Sequence, residues 1–440
     1  MEETWIAERG KLRALLNNQA KLSNSQLADQ CGHSGTWVKK WKKRLKNSAA
    51  DDLNALRSQS RKRHELPRPL DKRIETAILE IRDQPPADLN RVPGAPTILY
   101  YLNQREDLRA DGLAIPKSTS TIWKVLKRNQ RTGWHQAIHH QPLEPTAPMD
   151  TWEIDFTDVP TVIPDPDGKK QHAVETFNVI DTGTSILIDA IPNADYNAES
   201  AIAALIAVFD EYGVPRQIRL DRDPRLVGSW SAQAYPSAFM RFLLCIGVDL
   251  DICPPHRPDL KPFIERFNRT LEYECFRPNK PTNLDETLPV TAHFKQFYNV
   301  DRPHQGRQCA NRPPRAVYPD AKPARKLPVQ VDPDAWLRAY QGKTMTRTVD
   351  SAGTIAVDRF DYYVSRALRG RTVLITVDAA AKQLNVELDG KRIKQLTVKG
   401  LYQQSIAFVE YADLIIREAR SEARRQRLVK AARRPRLVAT

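Results

Sequence analysis

TWEIDFTDV at 151–159, QIRLDRDP at 217–224 and PPHRPDLKPFIERFNRTL at 254–271 set three acidic residues, Asp155, Asp221 and Glu265, in unlike surroundings. The apolar runs around the two aspartates read as buried strands. FIERFNRTLEYECF instead carries apolar residues at helical spacing, so two strands and a helix each present one carboxylate. Such a set suits divalent cations. A nucleic-acid phosphodiester needs its attacking oxygen activated and its leaving oxygen neutralised, and a pair of Mg²⁺ ions roughly 4 Å apart does both when hard carboxylate oxygens hold them. Three carboxylates this close repel one another unless a cation lies among them.

Asp155, Asp221 and Glu265, with 43 residues between the last two, resemble the DDE triad of the retroviral-integrase and transposase superfamily. The PPHRP loop, the glutamate helix and the later FYNVDRPHQG (Phe297–Gly306) are similar to the matching stretch of bacterial insertion-sequence transposases. The match spans roughly residues 148–318. It departs from the family pattern where DRD stands for Asp-Asn-Gly and Lys261-Pro262 for Lys-Gly. The resemblance implies a catalytic triad that is also the metal-ligand set, two Mg²⁺ ions replaceable by Mn²⁺, and double-stranded DNA (transposon ends and target) as substrate. It also implies a homo-oligomer on DNA, since two ends must be brought together. Some transposases with this layout work with an AAA+ ATPase that selects targets, which makes such an ATPase a candidate partner.

Asp158, Asp181 and Asp223 compete as ligands. Three residues past Asp155, Asp158 points to the opposite face of a strand, whereas Asp223 shares a face with Asp221 at i, i+2. Asp221 is preferred for its place at the strand end and for the family pattern. The order of strands around TFNVIDTGTSILIDAIP, the apolar helix AESAIAALIAVFDEYG ending at Gly213, and the returning strand PRQIRLD resembles a ribonuclease-H-like α/β core. A Rossmann-like domain would show alternation too, but neither GxGxxG nor GxxxxGK[ST] is present.

The rest of the chain reads as DNA-handling modules. At 440 residues there is room for about three domains, and a net charge of +15 favours a polyanionic partner. Residues 1–65 read as a helix-turn-helix: Ser23 caps one helix, Gly32 permits the turn and Ser34 caps a second helix, TWVKKWKKRL. On that helix Lys39, Lys40, Lys43 and Arg44 are placed against phosphates and Thr36 near base edges. The alternative is a solvated basic helix. A second helix-turn-helix is read at 69–135, after the linker SQSRKRHELPRPLDKR, with Lys117 and Lys124 as DNA contacts; a purely structural linker domain is its rival. In the core, Arg257 and Lys261 before the glutamate helix, and Asn268 and Arg269 on it, are expected to contact DNA. His135 and His139 have H-x3-H spacing, a weak zinc signal without a cysteine pair.

After the proline-rich linker PDAKPARKLPVQVDPD, short alternating strands over 336–403 predict a small β-barrel, similar to the carboxy-terminal barrels of Mu-type transposases. The tail, 407–440, reads as a basic helix for phosphate binding or partner docking; from 409 onward it has nine Lys/Arg against four Asp/Glu. The fold class is therefore multidomain: helix-turn-helix domains, an α/β ribonuclease-H-like core, a small β-barrel and a basic helical tail. Five cysteines without a CxxC pair argue against a disulfide framework. With no apolar run of membrane length and no signal-like start, a cytoplasmic protein of the bacterial cytosol with no membrane partner is expected. The function expected is that of a transposase performing metal-dependent 3′-end cleavage and strand transfer; the alternatives are an end-binding regulator with a degenerate core and a ribonuclease-H-like nuclease acting on hybrids.

Overall fold

The computed structural model describes residues 2–18, 22–49, 51–59, 69–132, 146–163, 173–228, 235–254, 260–306 and 308–433. The chain divides into two compact units, Met1–Leu70 and Asp71–Thr440. In the first, helices α1 (Glu2–Asn17), α2 (Asn24–Cys31) and α3 (Gly35–Lys46) enclose Leu12, Leu27, Val38, Trp41 and Leu45. Ser23 opens α2 in a reciprocal capping box with Gln26, Gly32 ends it at φ 71°, and the Ser34 hydroxyl accepts the Trp37 N–H to start α3. The left-handed Gly32 that closes α2 and the Ser34 cap two residues later leave the helices no room to continue as one.

The second unit begins with α4 (Lys72–Asp83), α5 (Ala95–Leu102), α6 (Glu106–Ala110) and α7 (Thr119–Arg128). Strands β1 (Thr151–Asp158), β2 (Glu175–Asp181) and β3 (Leu187–Asn193) follow, then α8 (Ala198–Tyr212), β4 (Gln217–Leu220), the single turn α9 (Pro224–Val227), α10 (Ala238–Cys245) and β5 (Asp249–Ile252). They form a mixed sheet of order β3-β2-β1-β4-β5, antiparallel among the first three strands and parallel from β1 to β4 to β5. This is the ribonuclease-H-like arrangement that the strand and helix order predicts. One face packs on α8 and α10 through Trp152, Phe177, Phe209 and Phe242. The other packs on α11 (Pro262–Thr270) and, beyond α12 (Arg277–Asn279), on α13 (Leu284–Val300), through Ile180, Leu187, Phe267 and Phe297. Because both faces are covered, β2 is buried along its whole length, its polar residues Glu175, Thr176, Asn178 and Asp181 included.

Beyond α14 (Pro314–Val317) the proline-rich segment is not a free linker. The Arg325 guanidinium donates to the carbonyls of Pro215 and Ile246, and its own carbonyl accepts the Val214 N–H at 2.8 Å. Gly213 allows this approach: it sits at φ 102°, and a Cβ there would lie 2.7 Å from the Arg325 carbonyl oxygen. β6 (Gln330–Val331) leads into β7 (Thr344–Thr348), β8 (Thr354–Val357), β9 (Phe360–Tyr363), β10 (Thr372–Asp378), β11 (Gln383–Leu388) and β12 (Lys391–Thr397). Among the described residues these pair as an open four-stranded sheet, β12-β11-β10-β7, and a separate β8-β9 hairpin, with no ladder closing them into the expected barrel.

β13 (Ile406–Ala407) pairs with β6 and runs into α15 (Phe408–Arg433). The expected tail is in large part core: Tyr411, Ile415 and Ala419 are buried in the same apolar cluster as α8 and α10. Glu422 accepts the Ala238 N–H that opens α10, and Glu418 lies 3.7 Å from buried Arg241. Its positive charge belongs to the distal half, where Arg424, Arg425 and Arg427 follow the packed stretch. No described helix is long and apolar enough to cross a membrane.

Truncation after Ala407 is therefore expected to destabilise the core, not merely to remove an arm. Exposing Tyr411 and Ile415 and their seats forfeits on the order of 5 kcal/mol, much of a domain's typical stability. Thermal denaturation measures it. An unchanged Tm would show that α15 does not complete the core.

Candidate active site

β1 and β4 run parallel as neighbours with Glu153 opposite Arg219, so Asp155, two residues further along β1, comes beside Asp221 just past the end of β4. An offset of two residues keeps each pair on one face of the sheet. The lower pair, Glu153 and Arg219, forms the floor and the upper pair of carboxylates the site. Asp155 is largely enclosed and Asp221 is 44% exposed at its side chain.

A cation already lies between the aspartates. The Lys261 ammonium is 3.2 Å from Asp155 Oδ1 and 3.7 Å from Asp221 Oδ2. Lys261 is only 5% exposed, yet its ammonium makes no aligned hydrogen bond, so charge and not direction holds it. Burial pushes the Asp155 carboxyl above its ordinary pKa; the Lys261 charge opposes this and the Asp221 charge adds to it. The other Asp155 oxygen accepts from Asn268 Nδ2 at 2.9 Å, and Asn268 Oδ1 accepts from Asn178 Nδ2 at 2.9 Å. Asn268 thus turns inward to orient Asp155.

Glu265 lies in the first turn of α11, and its N–H donates to the Lys261 carbonyl at 3.2 Å. Local sequence explains why the helix starts there: Pro262 at the first helical position needs no donor and has φ preset. A feature the sequence reading missed fixes the helix to the sheet. Fully buried Glu153 accepts the Ile264 N–H at 2.8 Å, capping α11 from the neighbouring strand where the helix dipole is positive. Its other oxygen is 3.3 Å from Arg219 Nη1, which also donates to the Leu260 carbonyl at 3.2 Å. Burial pushes Glu153 up to about 7 against the pull of the Ile264 N–H, Arg219 and Lys261. In sequence Glu153 looks like one more strand residue; its i, i+2 offset from Asp155 was the available signal.

Asp223, the rival of Asp221, is engaged elsewhere. It accepts the Arg225 N–H at 2.7 Å, and the Arg225 guanidinium grips it while reaching Glu175 at 2.8 Å. Among the described residues no three His, Cys, Asp or Glu side chains are gathered closely enough to hold a metal ion. The structure brings Asp155 and Asp221 together around Lys261, with Glu265 on the adjoining helix. Two hard carboxylate oxygens converging on one buried positive charge nonetheless match the donor chemistry of Mg²⁺ or Mn²⁺.

The remaining expected DNA contacts divide by exposure. Thr36, Lys39, Lys40 and Lys43 are exposed on α3, whereas Arg44 is half-buried over the Trp41 ring at 4.9 Å. Lys117 and Lys124 are exposed, and Lys124 rims a groove with Ala95, Pro96, Thr119, Ser120 and Trp123. Trp123, 49% exposed with the Lys127 ammonium 5.0 Å from its ring centre, was not singled out from sequence. Arg269 is exposed on α11. Arg257, His135 and His139 lie outside the described residues.

Residues 246–314 match the family model described as an integrase core domain, a stretch that contains Glu265 but neither aspartate. The chain is 24% identical over 206 residues to an insertion element IS407 uncharacterized 31.7 kDa protein of Burkholderia multivorans, covering 47% of this chain and 69% of that one. It is also 24% identical over 172 residues to an insertion element IS476 uncharacterized 39.2 kDa protein of Xanthomonas euvesicatoria, covering 39% of this chain and 45% of that one. Among solved structures it is similar to a simian T-cell lymphotropic virus intasome in complex with a PP2A regulatory subunit (14% identity, TM-score 0.32, 70% of this chain and 97% of that one). A second is the HTLV-2 integrase catalytic core with magnesium (15% identity, TM-score 0.28, 40% and 99%).

Replacing Lys261 with Met leaves Asp155 and Asp221 facing each other without a counter-charge. The metal-free variant is expected to lose roughly 1–3 kcal/mol, less than a fully buried pair because Asp221 is partly solvated, and to regain more stability than the parent when Mg²⁺ or Mn²⁺ is titrated. Melting curves in chelator and in metal read both. Equal stability and equal metal response in the two proteins would remove Lys261 as the counter-ion.

Proposed function

The chain belongs to the DDE transposase and retroviral-integrase superfamily, and we propose that it is a transposase that binds the ends of its element, cleaves them to expose 3′-hydroxyls and joins those hydroxyls to target DNA. The observation that carries this reading is the convergence of Asp155, within β1, and Asp221, just past the end of neighbouring β4, on one buried positive charge. A helix bearing Glu265 is clamped beside them. Asp155, Asp221 and Glu265 would hold divalent metal, Mg²⁺ or Mn²⁺, which on binding acidifies the attacking group and neutralises the leaving oxygen at phosphorus; two ions suit an in-line displacement.

Each of this chain's groups has a part in that chemistry. Asp155 is oriented by Asn268, so one carboxylate face stays directed at the cation position. Lys261 compensates the pair while no metal is present, and once released from it is placed to meet phosphate. Glu153 and Arg219 hold the first turn of α11. In the cleavage step a water oxygen bonds to phosphorus and the P–O3′ bond breaks, leaving a 3′-hydroxyl. In the joining step that hydroxyl bonds to a target phosphorus and displaces the target 3′-oxygen, so no covalent protein intermediate is required.

The exposed cations on α3, Lys39, Lys40 and Lys43, and those beside α7, Lys117 and Lys124, would contact phosphates and position the helix-turn-helix units on element ends. Joining two ends requires two subunits, so assembly on DNA as a homo-oligomer is part of the proposal. Nothing in the described residues calls for the AAA+ ATPase, and it is not part of it.

Asp155→Asn, Asp221→Asn and Glu265→Gln are each expected to slow metal-dependent 3′-end cleavage at least about 10²-fold, since each removes ligand charge worth several kcal/mol at the transition state. Binding of the element end should stay within a few fold. Gel-resolved cleavage and binding of labelled end DNA measure the two separately. The rival reading is an end-binding regulator, which would bind the same ends without cutting them. Normal end binding by a parent protein that cuts nothing at any metal concentration would decide for the regulator.

A further inference from the structure

The helix that carries Glu265 does not stop at Thr270. It passes through a π-helical turn, Leu271–Phe276, directly into α12. Glu274, nine residues beyond Glu265 on the same rod, is enclosed, with 7% of its side chain exposed. Two guanidinium groups meet its carboxylate: Arg302 at 2.7 and 2.8 Å, from just beyond α13, and Arg91 at 3.2 Å, from the segment between α4 and α5. The backbone is tied at the same residue. Four positions on stands Pro278, which has no N–H to give to the Glu274 carbonyl, and Asn90 Nδ2 donates to that carbonyl at 3.1 Å.

The contacts continue on both sides. Leu89 is fully buried in the apolar cluster that contains Phe267, Leu271 and Cys275 of the glutamate rod. Arg91 Nη2 donates to Thr97 Oγ1 at 3.2 Å, inside α5. Asn90 holds φ 45°, a left-handed conformation that asparagine tolerates better than most residues and that turns the chain between Leu89 and Arg91. Three consecutive residues of the helical region thus grip the glutamate rod by an apolar side chain, a carbonyl and a carboxylate. Burial and the neighbouring Arg302 charge both pull the Arg91 guanidinium below its ordinary pKa, and Glu274 offsets them. Enclosed ion pairs add little net stability over an apolar filling, and their best-attested use is to fix register.

We propose that Asn90 and Arg91 are positioning residues which, through Glu274, set the register of the helix carrying Glu265, so that the α4–α7 region on element-end DNA and the catalytic helix act as one body. This rests on the catalytic role proposed for Glu265 above.

The test uses the full chain with Mg²⁺ and labelled duplex carrying the element end, comparing single-turnover cleavage at saturating DNA with half-saturating DNA concentration. Arg91→Ala is expected to lower the maximal rate about ten- to a hundredfold, the cost of a misplacement of about 1 Å, while the half-saturating concentration changes less than about threefold. Arg91→Lys should recover part of the rate by keeping the charge. Should Arg91→Ala not fold, Asn90→Gly keeps the left-handed turn, removes the hydrogen bond to the Glu274 carbonyl and should still slow cleavage without weakening end binding. Unchanged maximal rates in folded Asn90→Gly and Arg91→Ala proteins, beside an inactive Glu265→Gln control, would overturn the joint alone. An active Glu265→Gln control would overturn both the joint and the catalytic reading.

Discussion

Two carboxylates cannot stand side by side on adjacent strands without a positive charge between them, and much of the core can be understood from that requirement. Parallel pairing of β1 with β4 forces Asp155 and Asp221 together. Lys261 supplies the charge when nothing else does. Beneath them buried Glu153 meets the partly exposed Arg219, and there the pair is used differently, to cap α11 and to hold the turn at Leu260. Helix and carboxylates are thereby fixed to the same two strands, so a ligand that displaces the ammonium acts on a prearranged pair and not on loose side chains.

The rest of the second unit buttresses this arrangement. α15 closes the apolar cluster over α8 and α10, and the strap around Arg325 is tied to the carbonyls of Pro215 and Ile246, just before β4 and β5. On the opposite face the α4–α7 region is gripped to the glutamate rod through Leu89, Asn90 and Arg91. The part of the sheet that carries Asp155 and Asp221 is therefore braced from both layers.

Much of this was legible in the sequence because it depends on local rules. Apolar runs gave four of the five core strands, the short β5 having gone unread, while Ser23, Gly32 and Ser34 announced their helix ends and Gly213 marked the close of α8. Competition between Asp221 and Asp223 could not be decided locally, since an i, i+2 pair shares a face; the structure shows Arg225 occupying Asp223. Lys261 and Asn268 read as DNA contacts because lysine and asparagine are polar, and only the fold turns them toward Asp155. α15 read as an arm because its distal arginines dominate its composition, although Tyr411, Ile415 and Ala419 lie at helical spacing and could have signalled burial. The proline-rich stretch read as a linker by composition, but prolines are equally compatible with an extended strap whose few donors are satisfied by the surface it crosses. Long-range partners, such as Asn90 for the carbonyl that Pro278 leaves open, have no signature in a single sequence.

We propose that Asp155 and Asp221 form a divalent-cation site which Lys261 occupies in metal's absence. Anomalous diffraction from crystals of the full chain bound to end DNA and Mn²⁺ decides this. The expected result is a manganese peak about 2.2 Å from an oxygen of each aspartate, with the Lys261 ammonium withdrawn from between them. Saturating Mn²⁺ that leaves Lys261 in place and no peak at the aspartates would contradict it.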